Sequence, residues 1–530
     1  MSESRSKPVD PALAGIGKKP LIDRIGRARL LAGAVLGVTA LVLYTITLAP
    51  DILAHDVADW QGSAAVLGLS HNPGSPVYIF LAWLFTLVPL GGIAERVNFL
   101  SAVVGAAGVL AIYIFILMLF DHLLPAIIGS ISLMVAAQWW SYASLAQPYS
   151  GVVLIIIILL IMLILWQRKG NPRLVWGGAF VFGLGLVWHS SLVMFLPVLV
   201  AGVFIFGPWR KLLAIKPLLL TLLFFLVGFA FYAYLPIRSA ADPPIMYGKV
   251  DSLSSLRGFM TAADTRSGGQ GTFALPQGSE LREALVQVVR KGYYPSYAFL
   301  VFGPAVLLLY PPVRRSLKPR RRWLLFLAGG MVVQMFLVFA MSQQYSQYYM
   351  PMLLYFSVWV SFSVYLLLKA ARTLGAGRYG QAVAFAAGAI YLVVLAMGVS
   401  QPRIWEFVDH SHDVSMRRYT DEVFRAAEPG AVVLADWESY TALLYAQKVD
   451  GQRPDLTLVS VVPRNWRQEL TKLGDRQAQM LYSHTLPLGD AGGLPALTEP
   501  VFVSIKGRTY QDRSQGEPYP AAVQLFQVHE

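Results

Sequence analysis

The chain contains no cysteine among its 530 residues. A disulfide framework, a thiolate metal site and a cysteine nucleophile are therefore excluded, and the redox compartment cannot be inferred from cysteine usage. Charge is also scarce, because Asp, Glu, Lys and Arg make up 14% of the chain, against about one quarter in soluble domains. Hydrophobic residues make up 56%, and the mean hydropathy is +0.54. This composition predicts a multi-pass protein of the lipid bilayer.

Short motifs of common soluble enzymes are missing as well. The polar tail has no glycine-rich phosphate loop, no HExxH and no G-x-S-x-G. The net charge of +13 would suit a nucleic-acid partner, but many Lys and Arg residues cluster in short segments between apolar runs, where membrane orientation explains them. We therefore predict no nucleic-acid partner.

Uncharged runs long enough to span a bilayer, which takes roughly 20 apolar residues, recur along the chain. The first run, 30–50, follows a basic segment and exceeds the apolar core of a signal peptide, so it predicts a retained anchor with a cytoplasmic N-terminus. Further spans are predicted at 97–120, 123–143, 149–166, 175–188, 190–207, 217–236, 296–312, 323–341, 349–368 and 382–400.

Basic loops decide the count of eleven spans. Two short spans within 175–207 keep the basic clusters on either side of that region in the cytoplasm, and 76–91 is then a re-entrant or interfacial helix. We predict residence in the plasma (inner) membrane and the following parts: a cytoplasmic segment 1–29, a transmembrane domain 30–402 with outer loops 51–96 and 238–295, and an extracytoplasmic domain 403–530.

The tail after residue 403 has the pattern of a small α/β domain. Helical stretches at 414–427 and 463–473 alternate with apolar, β-branched runs. Strands are predicted at 431–435, 456–461, 500–505 and 522–528. The predicted fold class is an α-helical polytopic membrane protein with a small C-terminal α/β extracytoplasmic domain.

The stretch "HDVADWQGSAAVLGLSHNPGSPVY", residues 55–78, places ionisable residues directly after the first span. Asp56 and Asp59 are three apart and share one face if the loop is helical. Two such carboxylates can hold a cation, or one can act as a general base while the other positions a substrate. The alternative is a pair of solvated loop charges. His71 and Asn72 follow just before the chain dips back toward the bilayer.

Three further segments carry candidate residues. "FYAYLPIRSAADPPIMYG" puts Arg238 at the outer end of a span, where its guanidinium can clamp a phosphate or simply reach lipid headgroups. His189, in "WHSS", is a weak signal, since a lone histidine is more often a structural hydrogen-bonding residue. Tyr348, in "QQYSQYYMP", belongs either to an interfacial aromatic belt or to a polar wall for a sugar.

The first loop resembles that of the GT-C membrane glycosyltransferases, in particular the DUF2723 group of bacterial proteins related to a eukaryotic protein O-mannosyltransferase. Asp56 falls on the family's acidic residue, Asp59 on its Glu, and His71 on the histidine of its H-P-P-G-x-P segment. "YLPIRSAADPPIMYG" resembles the family's Y-L-P-I-R-A motif and carries Arg238 across. The tail segment "EPGAVVLADWESYTALLYAQKVDGQRPDL" also looks like the group's tail.

The chain departs from this pattern at a few positions. Asn72 replaces a proline, Met246 and Tyr247 replace an Asn-Trp pair, and Gln147 replaces a glutamate ahead of Tyr149. Loss of the carboxylate at Gln147 bears on sugar or acceptor specificity more than on the type of reaction.

The resemblance implies a GT-C fold and an inverting transfer of a mannose-like sugar. The donor would be a sugar on a polyprenyl phosphate, and the acceptor a hydroxyl of a protein or glycan at the outer face. Asp56 is then the catalytic base, Asp59 orients a substrate, and Arg238 holds the phosphate. The other substrate-binding candidates are His71, Asn72, His189, Gln147, Tyr149 and Tyr348. A divalent cation between Asp56 and Asp59 stays an open alternative.

Two other classes of function stay open on the sequence. One is a lipid or solute transporter, which would lead one to look for ionisable residues well inside the spans and for paired inverted halves. The other is a noncatalytic membrane scaffold with an outer α/β binding domain.

Overall fold

A computed structural model of the chain describes residues 26–89, 91–261, 320–342, 346–373, 377–460, 480–484, 501–510 and 521–528. Within these ranges, six helical stretches are long and apolar enough to cross a membrane. They are formed by α1 (Arg27–Ile46), α4 (Ile93–Phe120), α7 (Tyr149–Lys169), α10 (Ile215–Phe229) with its continuation to Ala240, α13 (Arg321–Ser342) and α14 (Met350–Thr373).

Shorter apolar helices complete the bundle. α5 (Leu123–Met134) and α6 (Ala137–Ala143) form a pair bent by 66°. The rest are α3 (Pro76–Thr86), α8 (Arg173–Trp188), α9 (Leu196–Phe206) after a 3-10 turn at Ser190–Phe195, and α15 (Gly377–Val399). Every predicted span within the described ranges coincides with a helix or a helix pair. The predicted span 296–312 lies outside those ranges, so the count of eleven stays a prediction.

The helices pack as membrane helices do, through small residues and outward-facing apolar side chains. A Cβ atom at Gly183 of α8 would lie 2.4 Å from the carbonyl oxygen of Phe225 on α10, and one at Gly228 would lie 2.3 Å from that of Phe180. Glycine at both positions therefore lets the two backbones touch. Large apolar side chains on the other side of α10 are exposed, as hydrocarbon contact requires: Leu218, Leu219, Leu222, Leu223 and Leu226.

Basic residues gather at the end of the bundle where α1 begins. Arg29 forms an ion pair with Asp121 at the end of α4 (2.7 Å). Arg168 at the end of α7 donates to the carbonyl of Met118 (2.6 Å), and Arg320 ahead of α13 donates to that of Leu119 (3.1 Å). The first loop, which follows α1, lies at the opposite end.

A buried asparagine fixes the chain where α1 leads into the first loop. Asn98 of α4 donates to the carbonyl of Ala49 (2.8 Å) and accepts from the backbone N–H of Ala146 (2.8 Å) and from Gln61 Nε2 (2.9 Å). Gln61 belongs to α2 (Asp56–Ala65). One side chain thereby links the end of α1, the helix α2 and the turn before α7.

The chain beyond α10 is also helical in part. After a 3-10 turn at Ala230–Ala233, α11 covers Tyr234–Ala240 and α12 covers Leu253–Thr261. Residues 262–295 of the predicted loop lie outside the described ranges.

The tail forms a mixed five-stranded sheet with helices, an α/β arrangement of the predicted kind with one strand more than the four predicted. α16 (Pro402–Val408) and α17 (Ser415–Ala426) lead into β1 (Val432–Ala435), α18 (Trp437–Lys448) and β2 (Thr457–Ser460). The further strands are β3 (Met480–His484), β4 (Val501–Tyr510) and β5 (Ala521–Val528). The strand order is β2-β1-β3-β5-β4, with β1 parallel to β2 and β3 and with β5 antiparallel to β3 and β4. The predicted helix 463–473 lies outside the described ranges.

The tail and the first loop share one hydrophobic core. Ile52 and Ala58 of the loop lie in the same buried cluster as Tyr419 of α17 and Leu443 of α18. At the edge of this cluster Arg417 donates to both carboxylate oxygens of Asp51 (3.0 and 2.8 Å) and to Asp450 (2.6 Å). Burial alone would lower the pKa of Arg417, but these charge-assisted bonds raise it and fasten the tail to the loop.

Candidate active site

The first loop folds into the short helix α2, which presents both predicted carboxylates at its first turn. His55, just before the helix, has a left-handed backbone (φ 59°), and the helix then begins at Asp56. Asp56 and Asp59 lie in the first turn, where free backbone N–H groups and the helix dipole favour negative charge. The side chain of Asp56 is 30% exposed and that of Asp59 is fully buried, so of the two only Asp56 is open to solvent.

Asp59 is a buried acceptor that fixes His71. Its Oδ1 accepts from the hydroxyl of Ser63 (2.8 Å), and its Oδ2 accepts from the backbone N–H of His71 (3.0 Å) and pairs with His71 Nδ1. Burial raises the pKa of Asp59, and the bonds from His71 and Ser63 counter part of that effect. The imidazole is thereby held in one orientation.

His71 lies between the two carboxylates. Its Nδ1 faces Asp59 and its Nε2 is 3.8 Å from Asp56 Oδ2. Burial lowers the pKa of His71, but the charge of Asp56 and the bond and charge of Asp59 outweigh it and raise the pKa to about 9. The two carboxylates therefore favour the imidazolium form of the ring. The rings of Trp60 (4.9 Å) and Trp437 (5.6 Å) flank it.

Asp56 has a second partner from the tail. The indole Nε1–H of Trp437, the first residue of α18, donates to Asp56 Oδ1 (2.9 Å). Oδ2 lies beyond ordinary hydrogen-bond distance from His71. The carboxylate is therefore held on one oxygen and faces a cation with the other, while part of it stays open to solvent.

Arg238 lies at the other end of α2. Its Nε–H donates to the carbonyl of Leu67 (2.7 Å) and its Nη2–H to that of Val66 (3.4 Å), just past the helix C-terminus. Tyr234 donates its hydroxyl to the carbonyl of Gly68 (2.8 Å) in the same turn. In this structure Arg238 thus caps the loop helix, a contact that the sequence interpretation did not foresee. Arginine carries further N–H donors for a phosphate.

The turn that carries His71 and Asn72 has a tightly constrained backbone. The Asn72–Pro73 peptide bond is cis, and Gly74 has φ 86°, in the left-handed region that glycine favours. A Cβ at Gly74 would also lie 2.8 Å from Leu235. Asn72 itself is half-buried. The turn needs glycine at residue 74 for both reasons.

The loop after α11 pairs with the first loop through backbone hydrogen bonds. Leu69 donates to the carbonyl of Ile245 (3.1 Å) and accepts from the N–H of Tyr247 (3.0 Å). The Tyr247 ring packs against Trp437 (5.1 Å), and burial, with the charges of Asp59 and Asp56, raises its pKa well above 10. Tyr247 stays a neutral hydroxyl near both carboxylates.

His189, Tyr149 and Tyr348 form one aromatic cluster. The His189 ring lies 5.0 Å from Tyr149 and 6.1 Å from Tyr348, and the two tyrosines are 5.6 Å apart. Burial lowers the pKa of His189 to about 3, as does the charge of His71. Its Nδ1 accepts from the backbone N–H of Ser191 (3.2 Å), so the neutral ring carries its proton on Nε2. Asp56 lies close enough to His189 for its negative charge to act on that ring.

A small pocket of about 10 Å³, with room for roughly one water molecule, adjoins this cluster. None of the described residues that line it is charged, and the polar ones are Tyr149, Ser191, Gln334, Gln347 and Tyr348. Gln147, at the neighbouring turn, is buried, and its side-chain Oε1 has no partner among the described residues. Its backbone N–H donates to Ser101 (3.2 Å).

The described residues contain no group of three or more His, Asp or Glu side chains arranged to hold a metal. Between Asp56 and Asp59, where the sequence suggested a shared cation, the structure places the His71 ring. The site residue that sequence reasoning missed is Trp437. Its only signal was the "ADWESY" segment within the tail motif.

Comparisons with known proteins agree on the fold. The family model described as "Protein O-mannosyl-transferase TMEM260 N-terminal domain" matches residues 56–212, a match that begins at Asp56. Protein O-mannosyl-transferase TMEM260 from Mus musculus is 25% identical over 305 residues, which cover 56% of this chain and 42% of the mouse protein. The match therefore spans less than half of that relative.

Two crystal structures of ArnT from Cupriavidus metallidurans superpose on nearly the whole length. The structure bound to undecaprenyl phosphate gives a TM-score of 0.56 at 12% identity, covering 93% of this chain and 97% of ArnT. The apo structure gives a TM-score of 0.53 over the same shares. The predicted resemblance to GT-C membrane glycosyltransferases is confirmed, and the multi-pass helical fold with it.

Proposed function

Starting from a GT-C fold whose first loop opens a match to a protein O-mannosyl-transferase domain, we propose that this chain is a membrane glycosyltransferase. It transfers a mannose-like sugar from a polyprenyl-phosphate donor to a hydroxyl of a protein or glycan acceptor, with inversion at the anomeric carbon. The observation that carries the proposal is the partly exposed Asp56 carboxylate, fixed by Trp437 and faced by the His71 imidazolium. A solvated loop charge would have neither partner.

Asp56 acts as the general base. It accepts the proton of the acceptor hydroxyl while the hydroxyl oxygen bonds to the anomeric carbon. The bond from that carbon to the phosphate oxygen breaks, and its electron pair leaves with the polyprenyl phosphate. The products are the glycoside, the lipid phosphate and a protonated Asp56. Asp59 does not touch the substrate, because it is fully buried; it holds His71 in place.

The donor is proposed to bind between Arg238 and the aromatic cluster of His189, Tyr149 and Tyr348. The N–H donors of Arg238 that the turn carbonyls do not use would bind the phosphate as charge-assisted hydrogen bonds. The uncharged polar side chains Gln334, Gln347 and Tyr348, which line the small pocket beside the cluster, would bind the neutral hydroxyls of a sugar ring that lies next to them. His189, Tyr149, Gln147 and Asn72 stay binding candidates, and no step is assigned to a divalent cation.

The reaction is proposed to take place at the outer face of the plasma membrane. The basic end of the bundle, with Arg29, Arg168 and Arg320, lies opposite the first loop. By the positive-inside rule that end faces the cytoplasm. Asp56 and the tail would then face outward, where a lipid-linked donor can reach the acid from the bilayer.

A deletion strain tests the proposal. Mass spectrometry of surface glycans and glycoproteins should show loss of a hexose from outer-face acceptors, restored by the parent gene and not by a gene encoding Asp56→Asn. Uptake of solutes should be unchanged. Intact glycans together with a defect in uptake would instead favour the transporter, and intact glycans with normal uptake would favour the scaffold.

A further inference from the structure

The end of strand β1 brings a tail residue to the acid of the first loop. β1 lies between β2 and β3 and is parallel to both, so the carboxyl ends of these three strands lie at one edge of the sheet. In parallel sheets this edge is where functional groups commonly gather. Trp437 is the second residue after β1, and the preceding Asp436 caps α18 by accepting from the Ser439 N–H (3.0 Å).

Two separate segments of the chain contact the Trp437 indole. Its Nε1–H donates to Asp56 Oδ1 (2.9 Å) in the first loop. Its ring contacts His71 edge-on (5.6 Å) in the same loop, and Tyr247 (5.1 Å) in the loop after α11. The tail therefore contributes a side chain that directly contacts the Asp56 carboxylate and its neighbours.

Attachment of the tail does not depend on this indole. Arg417 bonds Asp51, the hydroxyl of Thr441 donates to the carbonyl of His55 (2.9 Å), and Glu438 Oε1 lies 3.2 Å from His55 Nδ1. If the Trp437 bond served docking alone, these contacts and the shared core would make it superfluous. Its hydrogen bond ends instead on the partly exposed carboxylate in the first turn of α2.

We propose that Trp437 is a positioning residue of the active site, through which the outer tail domain fixes the carboxylate of Asp56. With Oδ1 bound to the indole, the plane of the carboxylate is set and Oδ2 is directed toward the acceptor hydroxyl. The tail is then a part of the active site and is more than an appended binding domain. This inference rests on the proposed role of Asp56 as base.

The test is Trp437→Phe in the purified full-length protein, with Trp405→Phe as the matched control. Both replace a tryptophan of the tail, but Trp405 packs on Trp140 and is 37% exposed. Transfer from a polyprenyl-phosphate mannose to an acceptor peptide is measured against pH. We expect kcat of Trp437→Phe to fall roughly 10-fold or more, the loss typical of a hydrogen bond to a charged group, with KM for the donor unchanged.

The pH profile separates positioning from structure. A donor to a carboxylate favours its ionised form, so the acid side of the kcat profile should move to higher pH in Trp437→Phe alone. Trp437→His, which keeps a ring N–H, should recover part of both effects even if Trp437→Phe is less stable. Equal kcat and equal profiles for Trp437→Phe and Trp405→Phe would overturn the positioning role while leaving the proposed function intact. A parent with no transfer activity would overturn both.

Discussion

Asp59→Asn is expected to make sugar transfer sensitive to alkaline pH. An asparagine can keep the geometry. Its Oδ1 can accept from the backbone N–H and from the ring Nδ1–H of His71, and its Nδ2 can donate to the hydroxyl of Ser63, which in the parent donates to Asp59. The substitution thus removes a buried negative charge and few hydrogen bonds. What it removes is the charge that helps to hold His71 protonated.

The size of the effect follows from the pKa of His71. Burial alone would lower it, but Asp56 and Asp59 raise it to about 9. Relative to the usual pKa of 6.5, the raised pKa of His71 corresponds to a stabilisation of the folded state of at most roughly 3 kcal/mol, at 1.36 kcal/mol per pKa unit. This figure is an upper bound because water still screens a side chain that is 26% exposed. The folded state holds this proton more tightly, so the contribution is complete below about pH 6.5, declines as pH rises, and is lost above about pH 9.

In Asp59→Asn the pKa of His71 falls toward its usual value. The stabilising contribution of the protonated ring is therefore lost at a lower pH than in the parent. A neutral ring whose Nδ1–H bonds the carbonyl oxygen of the introduced asparagine would turn an Nε2 lone pair toward Asp56. We expect transfer near the parental rate at about pH 6 and at least roughly 10-fold below it at about pH 8, since a tenfold effect is one pKa unit of interaction.

The assay is transfer by purified parent, Asp59→Asn and His412→Gln between pH 6 and 9.5, with the melting temperature measured at each pH. His412 is exposed and serves as the control for loss of an unrelated histidine. An alkaline limb in Asp59→Asn that coincides with the parental one would refute the imidazolium bridge. So would a variant equally inactive at pH 6 and pH 8.

The remaining predictions concern Arg238 and topology. Arg238→Lys should lower transfer by roughly 10- to 100-fold, because an ammonium cannot both donate to the Leu67 carbonyl and make a bidentate contact with a phosphate, and charged hydrogen bonds contribute about 1.5 to 3 kcal/mol. A lower melting temperature with unchanged KM for the donor would show that Arg238 only holds the turn. Reporter fusions after residues 170 and 410 should report the cytoplasmic and the outer side, respectively, and the same side for both would contradict the proposed orientation.

Sequence patterns predicted most of the helices and most of the strands because these elements are set by local composition. The segments that were not predicted have weak local signals. α18 is buried on most sides, from Thr441 to Gln447 without a break, and a helix buried all round shows no apolar stripe. β3, "MLYSH", is short and has no β-branched residue.

The candidate site was predictable where its residues share one stretch of chain. Asp56, Asp59 and His71 all fall within the motif of the first loop, but the motif does not say that His71 lies between the carboxylates. That arrangement depends on the turn at Gly74 and on the cap provided by Arg238. Trp437 is 381 residues from Asp56 along the chain, and only the folded tail brings them together.

The most direct test of the account is transfer by purified Asp56→Asn from a polyprenyl-phosphate mannose to an acceptor peptide, with and without a chelator. Asparagine can still accept from Trp437 through Oδ1 but has no basic oxygen, so transfer should fall by the roughly 10²- to 10⁴-fold typical of losing a general base. Asp121→Asn, which makes the same change in the exposed pair with Arg29 at the opposite end, should keep parental transfer. Near-parental turnover by a folded Asp56→Asn would contradict the central claim that Asp56 is the base.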